Sequence, residues 1–292
     1  MRALVVRKTP KLDVLVAKSP DRVEQLRTSD PVAFAALVDA AAQQARANSA
    51  VADALAQHGV EATHLTRDNF EGVPDGVDLV VVVGGDGTVL DVSHRVGATP
   101  ILGINSDPGR SVGYFCAARA EEAQAVVRRF VAGDARVYAL HRISMTVDGA
   151  VYPWPCMNDL LVANSNPAMM SRYVLTAGER SEVHASSGIW ISTPAGSTAG
   201  IRSAGGTVMP LQGALIQYLV REPYVAGASR YPLLRGVRHI DEGLEIRSLM
   251  DGGMVYVDGP YMAIPFPLGA TLALTPGPRV HIVDLNVDRR ER

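Results

Sequence analysis

The eleven residues Asp78-Leu79-Val80-Val81-Val82-Val83-Gly84-Gly85-Asp86-Gly87-Thr88 confine this chain to a small set of folds. A β-branched apolar run this short reads as a strand buried on both faces, the kind found inside a parallel sheet. It stops at two glycines, and the residues from Val89 to Val96 continue as a turn and a half of helix. Strand, glycine turn and helix start aim backbone N–H groups outward, a geometry that holds phosphate. Gly84, Gly85 and Gly87 allow φ > 0 and leave no Cβ in a ligand's way. Asp86 is the odd member, because a carboxylate repels phosphate. It needs another task, such as taking a proton from a hydroxyl or holding a metal ion. The competing reading is a tight strand-to-helix turn in which Asp86 only caps the helix.

A length of 292 residues suits two ordinary domains or one large one. Lys and Arg number 28 against 30 Asp and Glu, a net charge of −2. That balance provides no whole-chain basic field for nucleic acid or an anionic membrane. The two cysteines, Cys116 and Cys156, have no second Cys or His at metal-ligand spacing, so no metal site is assigned. With no secretory apolar stretch after Met1-Arg2-Ala3-Leu4, reduced thiols and a cytoplasmic location are expected. No apolar run approaches the length of a membrane span.

Arg2 to Val6 reads as a strand, broken by Lys8-Thr9-Pro10, and Leu12 to Ala17 as a second strand or the opening of a loop. Ser19-Pro20 and Asp30-Pro31 each pair a capping side chain with proline at the first helical position. The second pair opens a long Ala-rich helix with Phe34, Leu37, Val38, Ala41, Val51 and Leu55 at helical spacing, and Gly59 ends it. Val60 to Leu65 is a strand, Phe70 to Val77 a loop, Pro100 to Asn105 a buried strand and Ala120 to Val131 an amphipathic helix. Strands alternating with helices indicate an α/β domain with a mostly parallel sheet.

Near residue 134 the texture changes to short alternating runs, at 137–140, 143–147, 159–163, 173–176, 188–192, 215–220, 245–248 and 254–257. Their turns are rich in Gly, Pro, Asn and Ser, which predicts a β-rich C-terminal domain with one helix. The expected organisation is 1–134 as the α/β domain and 135–270 as the β-rich domain. Residues 271–292 are expected to form a tail with two more strands, with a return to the first domain as one path for it, and Arg289 to Arg292 a frayed charged end.

Asn158-Asp159 opens the run Leu160 to Ala163, and an adjacent amide and carboxylate there can grip neighbouring hydroxyls of a ribose. The plainer reading is an Asx turn. From Gly188 to Gly200 a strand runs into Thr193-Pro194-Ala195-Gly196-Ser197-Thr198-Ala199, where small residues and hydroxyls at a helix start suit a nucleotide's close approach. Here the plainer reading is a capped junction in which Ser197 satisfies an N–H.

These motifs, in this order, resemble those of the NAD kinase family. That family carries a Gly-Gly-Asp-Gly-Thr loop on an N-terminal α/β domain. An Asn-Glu or Asn-Asp pair and a Thr-Pro-Thr-Gly-Ser-Thr-Ala-Tyr-like segment follow on a C-terminal β domain. Gly103-Ile104-Asn105 also resembles the family's strand end after the first motif, and the resemblance covers roughly residues 78 to 260. It implies transfer of the γ-phosphate of ATP to the 2′-hydroxyl of the adenosine ribose of NAD(H), with Mg²⁺ or another divalent cation, in a cleft between the domains. It implies that Asp86 is the base, with Gly85, Gly87, Thr88 and Asn105 against the nucleotide. Asn158 and Asp159 would hold a ribose, and Thr198, Ala199 and Ser203 would line the dinucleotide site. Arg172 would be the basic residue on the strand after the pair. A homodimer or homotetramer is the family's usual assembly.

Several positions depart from the family pattern. Ser186-Ser187-Gly188 stands for Ser-Asp-Gly, and Gly200 stands where an aromatic is usual. Asp91 occupies a region that commonly holds Arg or His, leaving His94 and Arg95 nearby. Ser106 to Tyr114 is longer than the usual turn. Together with Ser203 to Gly206 and Val220 to Pro223, these changes resemble the divergent branch that includes plant NADH kinases. Two alternatives stand beside the kinase. One is a lipid kinase of the diacylglycerol or sphingosine type, which shares the glycine loop. The other is a non-catalytic NAD(H)-binding protein. Trp154 and Trp190 read as core of the β domain, and Asp258-Gly259 as a hairpin connection.

Overall fold

The structure is a computed structural model that describes residues 1–224, 231–260 and 262–285. The expected charged end at Arg289 to Arg292 lies outside those residues. The chain divides into two compact units, Met1–Tyr138 with the segment that begins at His281, and Ala139–Val280.

In the first unit, β1 (Arg2–Arg7), β2 (Glu61–Thr66), β3 (Leu79–Gly84) and β4 (Ile101–Asn105) form a parallel sheet in the order β2-β1-β3-β4. A two-residue β5 (Ala118–Arg119) pairs with β4 in parallel. Val5 sits opposite Val81, and Val81 opposite Leu102. Every residue of β3 is buried, as its unbroken apolar run requires of a central parallel strand.

The helices are α1 (Lys11–Lys18), α2 (Pro20–Ser29), α3 (Pro31–Gln57), α4 (Asp86–Ser93) and α5 (Ala123–Val131). Asp30 accepts from the Ala33 N–H at 3.0 Å and Pro31 takes the first helical position, so α3 starts where its capping residues stand. Its stripe Ala47, Val51, Ala54 and Leu55 packs in one core with Val5, Val81, Leu102 and Val127. Gly59, at φ +64°, ends it.

Leu12 to Ala17 is neither strand nor loop but lies inside α1. The alternation of Leu12, Val14 and Val16 suggests a strand, yet Asp13 in the first turn and Lys18 in the last suit the helix dipole. No residue of α1 is buried, so core packing does not select its conformation. Ser19 makes no side-chain cap on α2, although Pro20 is the first helical residue as expected.

The second unit is built from β6 (Val137–Val147), β7 (Ala150–Val151), β8 (Asp159–Asn164), β9 (Ser171–Ala177), β10 (Arg180–Ser186), β11 (Ile189–Ser192), α6 (Gly200–Ser203), β12 (Leu215–Val220), β13 (Arg235–His239), β14 (Leu244–Ser248), β15 (Gly253–Val257), β16 (Met262–Pro265) and β17 (Thr271–Val283). One antiparallel sheet runs β13-β12-β11-β8-β15-β16, and β10, β9, β14 and β17 form a second set of antiparallel neighbours. Leu160, Val162, Ile191 and Val255 from the first pack with Tyr173, Leu175, Ile246 and Leu272 from the second in a single core.

Strands expected as pairs are single. β6 runs unbroken through His141-Arg142, because Arg142 is buried and donates from Nε to the Pro278 carbonyl at 2.6 Å. β17 likewise continues through Pro276-Gly277-Pro278. Both strands carry the chain across a unit boundary.

Candidate active site

β3 delivers its last residue, Gly84, to a turn in which Gly85 is the N-cap and Asp86 the first residue of α4. None of Gly84, Gly85 and Gly87 uses the positive φ open to glycine, and Gly85 lies at φ −103°. What the turn requires is the missing Cβ. At Gly84 it would meet Thr88 Oγ1 at 2.5 Å, and at Gly85 it would meet Ser111 Oγ at 2.5 Å. Gly87 has open space around it and is exposed.

Asp86 reaches across the turn rather than capping its own helix. Its Oδ2 accepts from the Gly113 N–H at 2.9 Å and its Oδ1 from the Phe115 N–H at 2.8 Å. The long segment after β4 is fastened to the same turn by further bonds. Asn105 donates from Nδ2 to the Ser111 carbonyl at 2.9 Å and accepts at Oδ1 from the Asp107 N–H at 3.2 Å. The Ser106 N–H donates to the Gly84 carbonyl at 3.2 Å. The lengthened turn thus serves as a brace that fixes the Asp86 carboxylate, and Asn105 is one of its fastenings. Asp91 pairs with Arg67 and Arg95 at 3.4 Å each, so both of these cations are already engaged.

In the second unit the Asn-Asp pair and the small-residue segment come together. The Thr193 N–H donates to the Asn158 carbonyl at 3.1 Å, and the Thr193 hydroxyl donates to the Met157 carbonyl at 2.6 Å. Gly196 packs on Asn158 so closely that a Cβ would fall 1.9 Å from the Asn158 carbonyl oxygen. Gly196→Ala should therefore displace Asn158 and destabilise this unit by about 2–4 kcal/mol, measured as a fall in the denaturation midpoint. A melt unchanged from the parent chain would refute that role for the contact.

Asp159, at the start of β8, is buried. Burial and then the charge of Asp258 push its carboxyl up to about 7, against the pull of an N–H bond from Gly200. The folded chain therefore keeps this proton over a range where the unfolded chain has released it. The stability attached to the group is complete below about pH 4 and is lost as pH rises toward 7. Asp159→Asn should raise stability at pH 8 by on the order of 2 kcal/mol and leave it nearly unchanged at pH 4. Melts at the two pH values check the difference.

Thr198 and Ala199 are half-buried beside this pair, in a 3-10 turn at Gly196–Thr198 and the residue that follows it. Ser203 lies exposed at the end of α6, and Arg172 is exposed on β9. Ser197 is buried and structural, donating to the Pro194 carbonyl and accepting from the Met209 N–H.

Two residues carry more than their sequence context suggested. Asp258 accepts from the N–H groups of Met157 (2.8 Å), Asn158 (2.7 Å) and Asp159 (3.0 Å), and from the Cys156 thiol. It is a clamp on the Asn-Asp pair as well as a hairpin residue, and its φ of +50° belongs to the turn. Trp190 is half-buried rather than core. It lines a cavity of about 300 Å³ with Asp159, Leu161, Tyr256, Gly259 and Pro260. A Cβ on Gly200 would approach its ring to 3.0 Å, so the indole covers the place left by the aromatic missing at 200. The alternation along β11, with Ile189 and Ile191 turned to the core, already put Trp190 on the other face.

Among the described residues, no cluster of three or more His, Cys, Asp or Glu could hold a metal ion, and no helix is long and apolar enough to cross a membrane.

Residues 15–135 match the family model for the ATP-NAD kinase N-terminal domain. A probable NADH kinase of Oryza sativa subsp. japonica is 32% identical over 272 residues, covering 86% of this chain and 84% of that protein. An NADH kinase of Arabidopsis thaliana is 31% identical over 244 residues, covering 76% and 77%. The fold is shared with an NAD kinase from Archaeoglobus fulgidus solved in complex with ATP, at TM-score 0.70 and 21% identity, over 100% of this chain and 96% of that one. With a motif order already pointing the same way, these extents of identity establish that the chain belongs to the NAD kinase family, a family of phosphotransferases.

Proposed function

We propose that this chain transfers the terminal phosphate of ATP to the 2′-hydroxyl of the adenosine ribose of NAD(H), forming NADP(H) and ADP. The observation that carries the reading is Asp86, a carboxylate aimed by two backbone N–H groups beside a glycine turn that has no side chain at Gly87. Each of its oxygens keeps a lone pair for a further donor. In the step, the 2′-hydroxyl gives its proton to Asp86 and its oxygen forms a bond to the γ-phosphorus. The bond from that phosphorus to the β–γ bridging oxygen breaks, and its electron pair leaves with ADP. Positioning and charge do most of such catalysis. Gly85, Gly87 and Thr88 border the nucleotide, and Asn158 and Asp159 hold ribose hydroxyls. Thr198, Ala199 and Ser203 wall the dinucleotide, and Arg172 supplies positive charge.

Mg²⁺ suits this donor set as an ion carried on the phosphates of ATP, where it would neutralise developing charge. A homodimer or homotetramer is inferred from the family's usual assembly, and a cytoplasmic location from the two unpaired cysteines. Light scattering on the purified chain tests the assembly.

Incubating the full chain with ATP, Mg²⁺ and NAD⁺ or NADH, and assaying NADP⁺ or NADPH, tests the activity. Absence of both products would end the proposal. A second reading, that NADH is accepted at least as well as NAD⁺, is favoured by the 32% and 31% identity to two plant proteins named as NADH kinases. A strong NAD⁺ preference in initial rates would remove it.

A further inference from the structure

From Asp107 to Val112 no side chain is buried, so core packing does not fix where the turn after β4 lies. The turn closes on its own backbone, the Arg110 and Ser111 N–H groups both donating to the Asp107 carbonyl, at 3.1 and 3.0 Å. Its place is set from two sides. On one, Ser111 packs against Gly85 and its carbonyl accepts from Asn105 Nδ2 at 2.9 Å. On the other, Arg110 reaches α3. Its Nη1 and Nη2 each donate to Asp39 Oδ2 at 3.2 Å, and Nη1 also donates to Asp107 Oδ2 at 2.9 Å. Shortly after Ser111 comes Gly113, at φ +70°, whose N–H holds Asp86 Oδ2.

Helix α3 is a fixed reference for the glycine turn. Its Gln44 is buried and donates from Nε2 to the Val83 carbonyl at 3.0 Å, immediately before Gly84. Asp39 stands on the same helix, about 7.5 Å along the axis from Gln44. The contacts therefore close a ring. Gln44 joins β3 to α3, Arg110 joins α3 to the turn, and Gly113 and Phe115 join the turn to Asp86. Gly84 and Gly85 then lead from Asp86 back to β3. An isolated exposed ion pair contributes little, because solvent screens it and two long side chains must be ordered. Arg110 differs in two ways. Its planar fork meets carboxylates on two separate elements, and the turn it holds has no buried side chain to anchor it otherwise.

We propose that Arg110 is a positioning residue for the phosphoryl transfer, holding the turn so that the Gly113 and Phe115 N–H groups present the Asp86 carboxylate at a fixed angle. Arg110 touches no reacting atom in this account and acts through the backbone between it and Gly113. The inference rests on the kinase reading of Asp86. A base displaced by about an ångström loses the alignment that its proton transfer requires, which lowers turnover more than it alters substrate binding.

Amide hydrogen exchange and steady-state kinetics, run on the same preparations of the full chain, test it. Arg110→Ala should speed exchange at the Gly113 and Phe115 amides by about fivefold or more and leave the thermal midpoint unchanged. It should lower kcat by about three- to tenfold, with KM for ATP and for NAD(H) within about twofold of the parent. Arg110→Lys, which keeps the charge and loses the fork, should fall between the two. Asp39→Ala should repeat both effects, and should add almost nothing once Arg110 is alanine. Exchange and kcat both within about twofold of the parent in Arg110→Ala would overturn the assignment. So would either change without the other, and so would a raised KM beside an unchanged kcat, which would put Arg110 on the substrate instead. A parent chain that forms no NADP(H) fails the kinase reading, and the exchange rates then still decide whether Arg110 fixes the donors to Asp86.

Discussion

Asp86→Asn is expected to lower kcat by about two to four orders of magnitude while dinucleotide affinity stays within a few fold. The amide cannot take the 2′-hydroxyl proton, yet it is nearly the carboxylate's size. A purely structural role makes a different forecast. The carboxylate accepts from Gly113 and Phe115, and an amide would turn its own N–H toward one of those donors. The brace would then lose one bond, worth about 1 kcal/mol, and the whole segment would loosen. Stability and affinity would fall together with turnover, and kcat would recover at low temperature. Steady-state kinetics, calorimetric affinity for NAD(H) and a thermal melt on one preparation separate the two. A kcat within about tenfold of the parent would remove Asp86 as the base.

The second large effect belongs to a residue that touches no reacting atom in this account. Asp258→Ala should lower the midpoint of the second unit by roughly 6–12 °C, since three backbone N–H groups lose their acceptor at a combined cost of about 3 kcal/mol. It should also weaken NAD(H) binding by about tenfold or more, because Asn158 and Asp159 hang on those bonds. Loss of the Asp258 charge removes one cause of the raised Asp159 carboxyl, so that group should titrate closer to the usual carboxylate range. An unaltered melt and unaltered affinity would show that the clamp is dispensable.

What the sequence made legible follows from how strongly each element is buried. β3 is interior on both faces, and its unbroken Val run could not have served a half-exposed strand. The start of α3 was legible because Asp30-Pro31 is a local device that needs no tertiary context. Strands β10, β13 and β16 went unread, and each is an edge of its sheet with more exposed or half-exposed positions than buried ones. A strand that packs on one side, and pairs on one side, carries too little apolar alternation to separate it from a loop. Asp258 was hidden for another reason. Asp-Gly is the default hairpin pair, and its acceptors serve residues about a hundred positions earlier, which no local pattern reports. Trp190 was read as core because large aromatics usually are, although the period of β11 turned it outward.

The placement of Trp190 gives the molecule an internal optical reporter. The chain has two tryptophans, and Trp154 sits edge-on to Tyr152 at 5.5 Å between centroids, away from the lining of the Asp159 cavity. A planar ring entering that cavity would meet the other indole face or edge and alter its emission. Occupancy could then be followed in the unlabelled protein, with Trp154 as the constant background.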